Sequence, residues 1–223
     1  MSLGNLSCGV PPPALAGAHG SYAGMIQRLL GQEAQVFDAV AGTLPHPDTC
    51  AAYILTGSPA GVYEPLPWIS PLLEFLRQAR GRAKIVGICF GHQAMAEAWG
   101  GAVMKSDRGW GIGLHQYDVH HRAHYMDGVR AIAAPASHQD QVVTLPPGAR
   151  VTLASAFTPF AGLDYGDAIS FQFHPEFTPA FSTALIDSRE DDYGPLTELA
   201  LRSLAAPDDR ARVGEWIGAF LRE

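Results

Sequence analysis

The chain has 223 residues, 47% of them hydrophobic and 17% charged, with a formal net charge of −7. That is apolar material for one sizeable core, and the acidic balance, with no basic stripe anywhere, excludes a nucleic-acid-binding face. Three scattered cysteines, Cys8, Cys50 and Cys89, make no disulfide framework and suit a reducing, cytoplasmic setting.

The first residues, "MSLGNLSCGVPPP", carry no charged and apolar leader, so no secretory signal is expected. No run of about eighteen apolar residues follows, so no membrane span is expected either. Leu3–Cys8 reads as a short strand. Pro11 to Pro13 then predict an extended segment, because proline fixes φ and lacks an N–H. Ser21–Leu30 reads helical, with Tyr22, Met25, Ile26, Leu29 and Leu30 apolar and Gly31 as its stop. "EAQVFDA" is a strand, and "CAAYILTGSPAG" is an apolar strand running into a glycine-rich turn. Pro67–Arg80 is a helix with Trp68, Leu72, Leu73, Phe75 and Leu76 on or near one stripe. "AKIVGIC" is apolar without alternation, as a strand buried on both faces should be. His92–Trp99 reads as a helix stopped by Gly100 and Gly101.

After Gly101 the rhythm changes. "GIGLHQYDV", "RVTLASAF", "FAGLDY" and "AISFQFH" predict strands joined by short turns. "DDRARVGEWIGAFLRE" closes the chain as an amphipathic helix. The expected class is therefore α/β: a mainly parallel central sheet flanked by helices, with added antiparallel strands. No linker divides residues 1–223, which read as one domain.

Two short segments carry chemistry. In "GICFG", Cys89 follows a buried strand and precedes a helix, the layout of the nucleophile elbow G-x-S-x-G with sulfur for oxygen. Gly87 and Gly91 remove the Cβ atoms that would clash where strand and helix meet. The helix N-terminus favours thiolate over thiol, and the Phe90 N–H is placed to bind an oxyanion. In "SFQFHPEF", His174 lies at a strand end, where Pro175 stops regular pairing. Residues two apart on an extended backbone point to one side. Glu176 is thus expected to orient one imidazole nitrogen while the other faces the thiol.

Together, "GICFGHQ", "FQFHPEF", "ILTGSPAGVY" at 54–63 and "ASHQDQV" at 136–142 resemble a class I, triad-type glutamine amidotransferase domain over nearly the whole chain. The resemblance implies a flavodoxin-like sheet with Cys89 as nucleophile, His174 as base and Glu176 as orienting carboxylate. It further implies an oxyanion hole from the N–H groups of Gly57 and Phe90, and a substrate pocket bounded by Gln93, Ser137 and His138. Glutamine would lose its side-chain amide through a cysteinyl thioester, with no cofactor.

No G-x-x-x-x-G-K-[ST] loop is present, so an ammonia-using synthetase would be a separate chain. A γ-glutamyl peptidase would use the same triad on a γ-glutamyl compound, and a non-catalytic binding protein would not need it intact. Room beyond the amide nitrogen separates the first two. The segment "HQYDVHHRAHYMDG", 115–128, is expected to wall the pocket. Its histidines lack regular metal-ligand spacing, so no metal site is read there.

Overall fold

The computed structural model describes residues 2–223. In chain order the first half runs β1 (Leu3–Ser7), α1 (Pro13–His19), α2 (Tyr22–Leu30), β2 (Gln35–Asp38), β3 (Ala52–Leu55), α3 (Ile69–Ala79), β4 (Lys84–Ile88) and α4 (Phe90–Ala98). It continues with β5 (Ala102–Lys105), β6 (Gly111–Val119), β7 (Ala131–His138), β8 (Asp140–Thr144), β9 (Arg150–Ala154), β10 (Gly162–Asp164) and β11 (Ala168–Phe171). Four helices close the chain: α5 (Pro179–Asp187), α6 (Glu190–Tyr193), α7 (Leu196–Ser203) and α8 (Arg210–Arg222).

Nine strands form one mixed sheet in the order β2-β1-β3-β4-β11-β10-β9-β6-β7. The first five run parallel, and the remaining four add on as antiparallel neighbours. β5 and β8 pair separately. The central strands are apolar on both faces because both faces are covered. Tyr53, Leu55 and Ile85 pack with Leu72, Phe75 and Leu76 of α3 and with Phe90 and Met95 of α4. Ile54, Val86, Ile88 and Phe171 pack on the other side with Trp216, Ile217 and Phe220 of α8. Each such side chain contributes about 1.5–3 kcal/mol when fully buried. Among the described residues, no helix is long and apolar enough to cross a membrane.

The expected elements are present through β4, and one further helix, α1, stands where an extended segment is expected. Ser21 caps α2 by accepting from the Gly24 N–H, and Gly31 ends it in the left-handed region at φ 59°. Several boundaries differ. Pro11–Pro13 does not remain extended throughout: Pro13 opens α1, where its missing N–H costs nothing. α1 buries no residue, so no apolar stripe announces it. α4 begins at Phe90, two residues before His92, with Cys89 itself as N-cap. β11 stops at Phe171, because the next amides change partners: Gln172 N–H goes to Ala161 and His174 N–H to Pro135.

β3, β4 and β11 are in-register parallel neighbours, with Leu55 beside Gly87 and Phe171 beside Ile88. Their carboxyl ends therefore deliver Gly57, Cys89 and His174 to one place, where open α/β sheets bind ligands. The start of α4 lies so close to the sheet that a Cβ on Gly91 would stand 2.6 Å from Leu55 Cβ and 2.8 Å from its carbonyl oxygen. Gly91→Ala should lower stability by about 2 kcal/mol in urea unfolding, as overpacking does. Gly128→Ala, which meets nothing within 4 Å, should stay within about 0.5 kcal/mol of the parent. Equal stabilities of the two variants would remove the steric account of the elbow.

Candidate active site

Cys89 has φ 50° and ψ −100°, and among the described residues it is the one non-glycine with positive φ. Such a conformation costs about 1–3 kcal/mol and persists where surrounding packing imposes it. Here the packing is visible. A Cβ on Gly87 would meet Met95 Sδ at 2.4 Å and the Gly91 carbonyl carbon at 2.6 Å. Buried His92 fastens the helix to β11 through Nδ1 and Ser170 Oγ at 2.8 Å. The chain must turn at residue 89, and the Cys89 side chain lines the two clefts described below.

His174 lies across from it, 4% exposed, with Nδ1 at 2.8 Å from Glu176 Oε1. The carboxylate fixes the Nδ1–H tautomer and leaves Nε2 as the other ring nitrogen. Phe177 stacks flat on the imidazole, with centroids 3.9 Å apart and planes 6° apart. Gly57 sits close to the ring's edge: a Cβ there would come within 2.9 Å of His174 Cε1. Burial opposes the imidazolium, but neighbouring Cys89 and Glu176 outweigh it and hold His174 well above the ordinary histidine range. The amides of Gly57 and Phe90 donate to no group among the described residues.

The other residues expected at the site arrive by different routes. Gln93 lines the cleft wall, but its amide hydrogens go to the Asp140 carbonyl at 2.9 Å and to Gln172 Oε1 at 3.2 Å. Gln172 in turn donates to Cys89 Sγ at 3.7 Å. The two glutamines thus form a buried relay from β8 to the thiol. Strand alternation places Gln172 on the same side as His174, a signal available in "FQFH". His138 bonds the Asp140 carbonyl through Nδ1 at 3.2 Å, and its Nε2 has no partner. Burial, then nearby His115 and His174, push it down to about 3, so it is neutral.

Two clefts meet at Cys89. Both are bounded by Ser58, Pro59, Ser137 and Arg189. The first, about 260 Å³, is polar: Gln93 and His138 line it together with Glu64, Lys105 and Asp140. The second, about 320 Å³, is mostly apolar, with Val10, Pro12, Tyr22, Phe177 and Leu185. His174 lines the second cleft and not the first.

Residues 115–128 line neither cleft, contrary to expectation. Their loop lies against α8 instead, where Asp127 meets Arg212 and Trp216 and His124 meets Glu223. His115 is turned inward to the Ile112 carbonyl at 3.2 Å and to Phe157. Trp110 and Lys105 stand at the polar cleft in that segment's place. Arg189, at the junction of both clefts, lies at the break between α5 and α6.

The sequence model of "Glutamine amidotransferase class-I" matches residues 30–187, well over half of the chain. A glutamine amidotransferase-like protein, chry6, from Gibberella zeae is 32% identical over 167 residues, covering 70% of this chain and 67% of that one. Gamma-glutamyl peptidase 4 from Arabidopsis thaliana is 27% identical over 183 residues, covering 76% and 73%. The crystal structure of a glutamine amidotransferase from Thermotoga maritima superposes with a TM-score of 0.81 at 17% identity, over 100% of this chain and 99% of that one, and has the same fold. The chain belongs to the class I glutamine amidotransferase family.

Proposed function

We propose that this chain cleaves a γ-glutamyl amide bond through a thioester on Cys89. The observation that carries the proposal is the strained Cys89 turn beside a buried imidazole whose Nδ1 is held by Glu176 at 2.8 Å. The polar cleft supports the same reading from the substrate's side. A zwitterionic amino-acid end needs both signs of charge, and Lys105 stands there with Glu64 and Asp140. The free amides of Gly57 and Phe90 supply donors for the carbonyl oxygen, each worth ~3 kcal/mol once it becomes an oxyanion.

The Cys89 thiolate attacks the side-chain carbonyl carbon, forming the S–C bond. His174 gives its proton to the departing nitrogen as the C–N bond breaks. Water then attacks the thioester, with His174 taking its proton. Glutamate leaves and the thiolate returns. Glu176, bonded to the ring, keeps the imidazole oriented and favours its charged form in both steps.

With glutamine the product is ammonia, which a separate synthetase chain would consume. With a γ-glutamyl compound the product is an amine. The second reading draws support from the apolar cleft on the His174 side, which leaves room beyond the amide nitrogen. It draws further support from likeness to a gamma-glutamyl peptidase over 73% of that protein.

Three outcomes test the mechanism. Because Glu176 raises His174, Glu176→Gln should move the alkaline limb of the kcat/KM profile to lower pH. The sign follows from the group involved: removing a cause of the raised value lets the imidazolium deprotonate earlier. An unmoved limb would detach Glu176 from the base. Gly57→Ala should cut kcat about a hundredfold without unfolding the chain, since its Cβ displaces His174, and a kcat within twofold of the parent would show that the imidazole tolerates the crowding. Finally, iodoacetamide at mildly acidic pH should label Cys89 first, because Cys89 lines the clefts while burial pushes the Cys8 thiol up to about 12 and raises Cys50. His174→Ala should slow that labelling, and peptide mapping that shows no change in the Cys89 rate would contradict the pairing of thiol and imidazole.

A further inference from the structure

Resting on the reading that Cys89 carries the acyl group, we propose that the apolar cleft and Arg189 select the leaving group. That group is an apolar α-amino acid, with its side chain in the cleft and its carboxylate on Arg189. The substrate class is thus a γ-glutamyl dipeptide with an aliphatic or aromatic second residue.

The direction of departure follows from where the acid stands. His174 must protonate the leaving nitrogen, and it lines the apolar cleft alone. The bond breaks toward that cleft, while the glutamyl part stays beside Gln93 and His138. The cleft holds about 320 Å³. Ammonia is about the size of water, whose share of liquid volume is ~30 Å³, and small-molecule sites begin near ~300 Å³. Ammonia leaves nearly all of this space unused.

The walls state what does fit. Val10, Pro12, Tyr22, Phe177 and Leu185 present aliphatic and aromatic carbon, which favours burial of an apolar side chain. Among the described residues no carboxylate lines this cleft; its cationic groups are Arg189 and, when protonated, His174. The guanidinium is held in place: it lies 4.7 Å from the Trp110 ring centroid and 5.3 Å from that of Tyr193. Its Nε donates to Asp192 Oδ2 at 2.9 Å, which leaves the terminal nitrogens for a carboxylate fork. The glutamyl end has Lys105 in the other cleft for its own carboxylate, so Arg189 is left for the leaving amino acid. The chemistry balances without a co-reactant beyond water: His174 transfers one proton to the nitrogen, and the free amino acid departs.

The full chain is assayed for kcat/KM with glutamine, γ-glutamyl-leucine, γ-glutamyl-glutamate and γ-glutamyl-isopentylamide, which is the leucine compound without its carboxylate. The leucine dipeptide should exceed both glutamine and the glutamate dipeptide by about tenfold or more, the factor that one buried apolar side chain supplies. Arg189→Gln should lower the ratio of leucine dipeptide to isopentylamide by about tenfold, the effect of one charged hydrogen bond. Arg189→Lys should restore part of it. A ratio unchanged in Arg189→Gln overturns the role of Arg189. Equal rates across leaving groups, or glutamine above the dipeptides, overturns the apolar selection. If Cys89→Ala still cleaves these compounds, the thioester reading fails instead, whatever the selectivity.

Discussion

The arrangement depends on one steric constraint, the contact between the start of α4 and strands β3 and β4. Only glycine fits at residues 87 and 91, where a Cβ would lie 2.4–2.8 Å from its nearest neighbours. With both flanks pinned, the intervening residue has no ordinary backbone region left, and Cys89 takes φ 50°. The strain is local and is maintained by a core of fully buried side chains such as Leu55, Leu72, Leu76 and Phe90. Its consequence is chemical. The thiol is held at the carboxyl edge of the sheet, above the start of a helix whose first amides are unpaired.

The same edge arranges charge. Three parallel neighbours end together, so the Gly57 amide, the Cys89 thiol and the His174 imidazole come together from the ends of β3, β4 and β11. Burial opposes the charged form of His174, and neighbouring Cys89 and Glu176 outweigh that opposition. Glu176 has a fully buried side chain with Oε2 unpartnered. A buried carboxyl group is costly without a partner, and His174 Nδ1, 2.8 Å from Oε1, supplies one. His138 is equally buried and has no such partner, and it remains neutral. Burial is shared by the two histidines, and the neighbours of His174, Cys89 and Glu176, separate them.

Much of this was legible in the sequence, for identifiable reasons. β3 and β4 are short apolar runs, α2 has both its cap and its stop, and G-x-C-x-G encodes the elbow directly because the steric demand falls on adjacent residues. "HPE" encodes the His174–Glu176 pair for the same reason. Other features depend on contacts far apart in the chain. α1 has no buried face, so periodicity cannot show it. β7 contains Pro135, which argues against a strand in isolation. It is tolerated because β7 is the edge of the sheet, and the Pro135 carbonyl accepts the His174 N–H. Arg189 lies at the break between α5 and α6; α5 itself is marked by the Thr178 cap, Pro179 and the buried Phe181 and Leu185 one turn apart, but nothing local ties Arg189 to Cys89. Its relation to Cys89 exists only once those helices fold over the sheet edge.

The central claim is that the strained thiol of Cys89 carries the acyl group. Rapid mixing of the full chain with γ-glutamyl substrate, an acid quench and mass mapping of the peptides test it most directly. The account predicts a γ-glutamyl adduct on the Cys89 peptide that forms within the first turnover and disappears as substrate is exhausted. Product released at the steady rate with the Cys89 peptide unmodified throughout would contradict it.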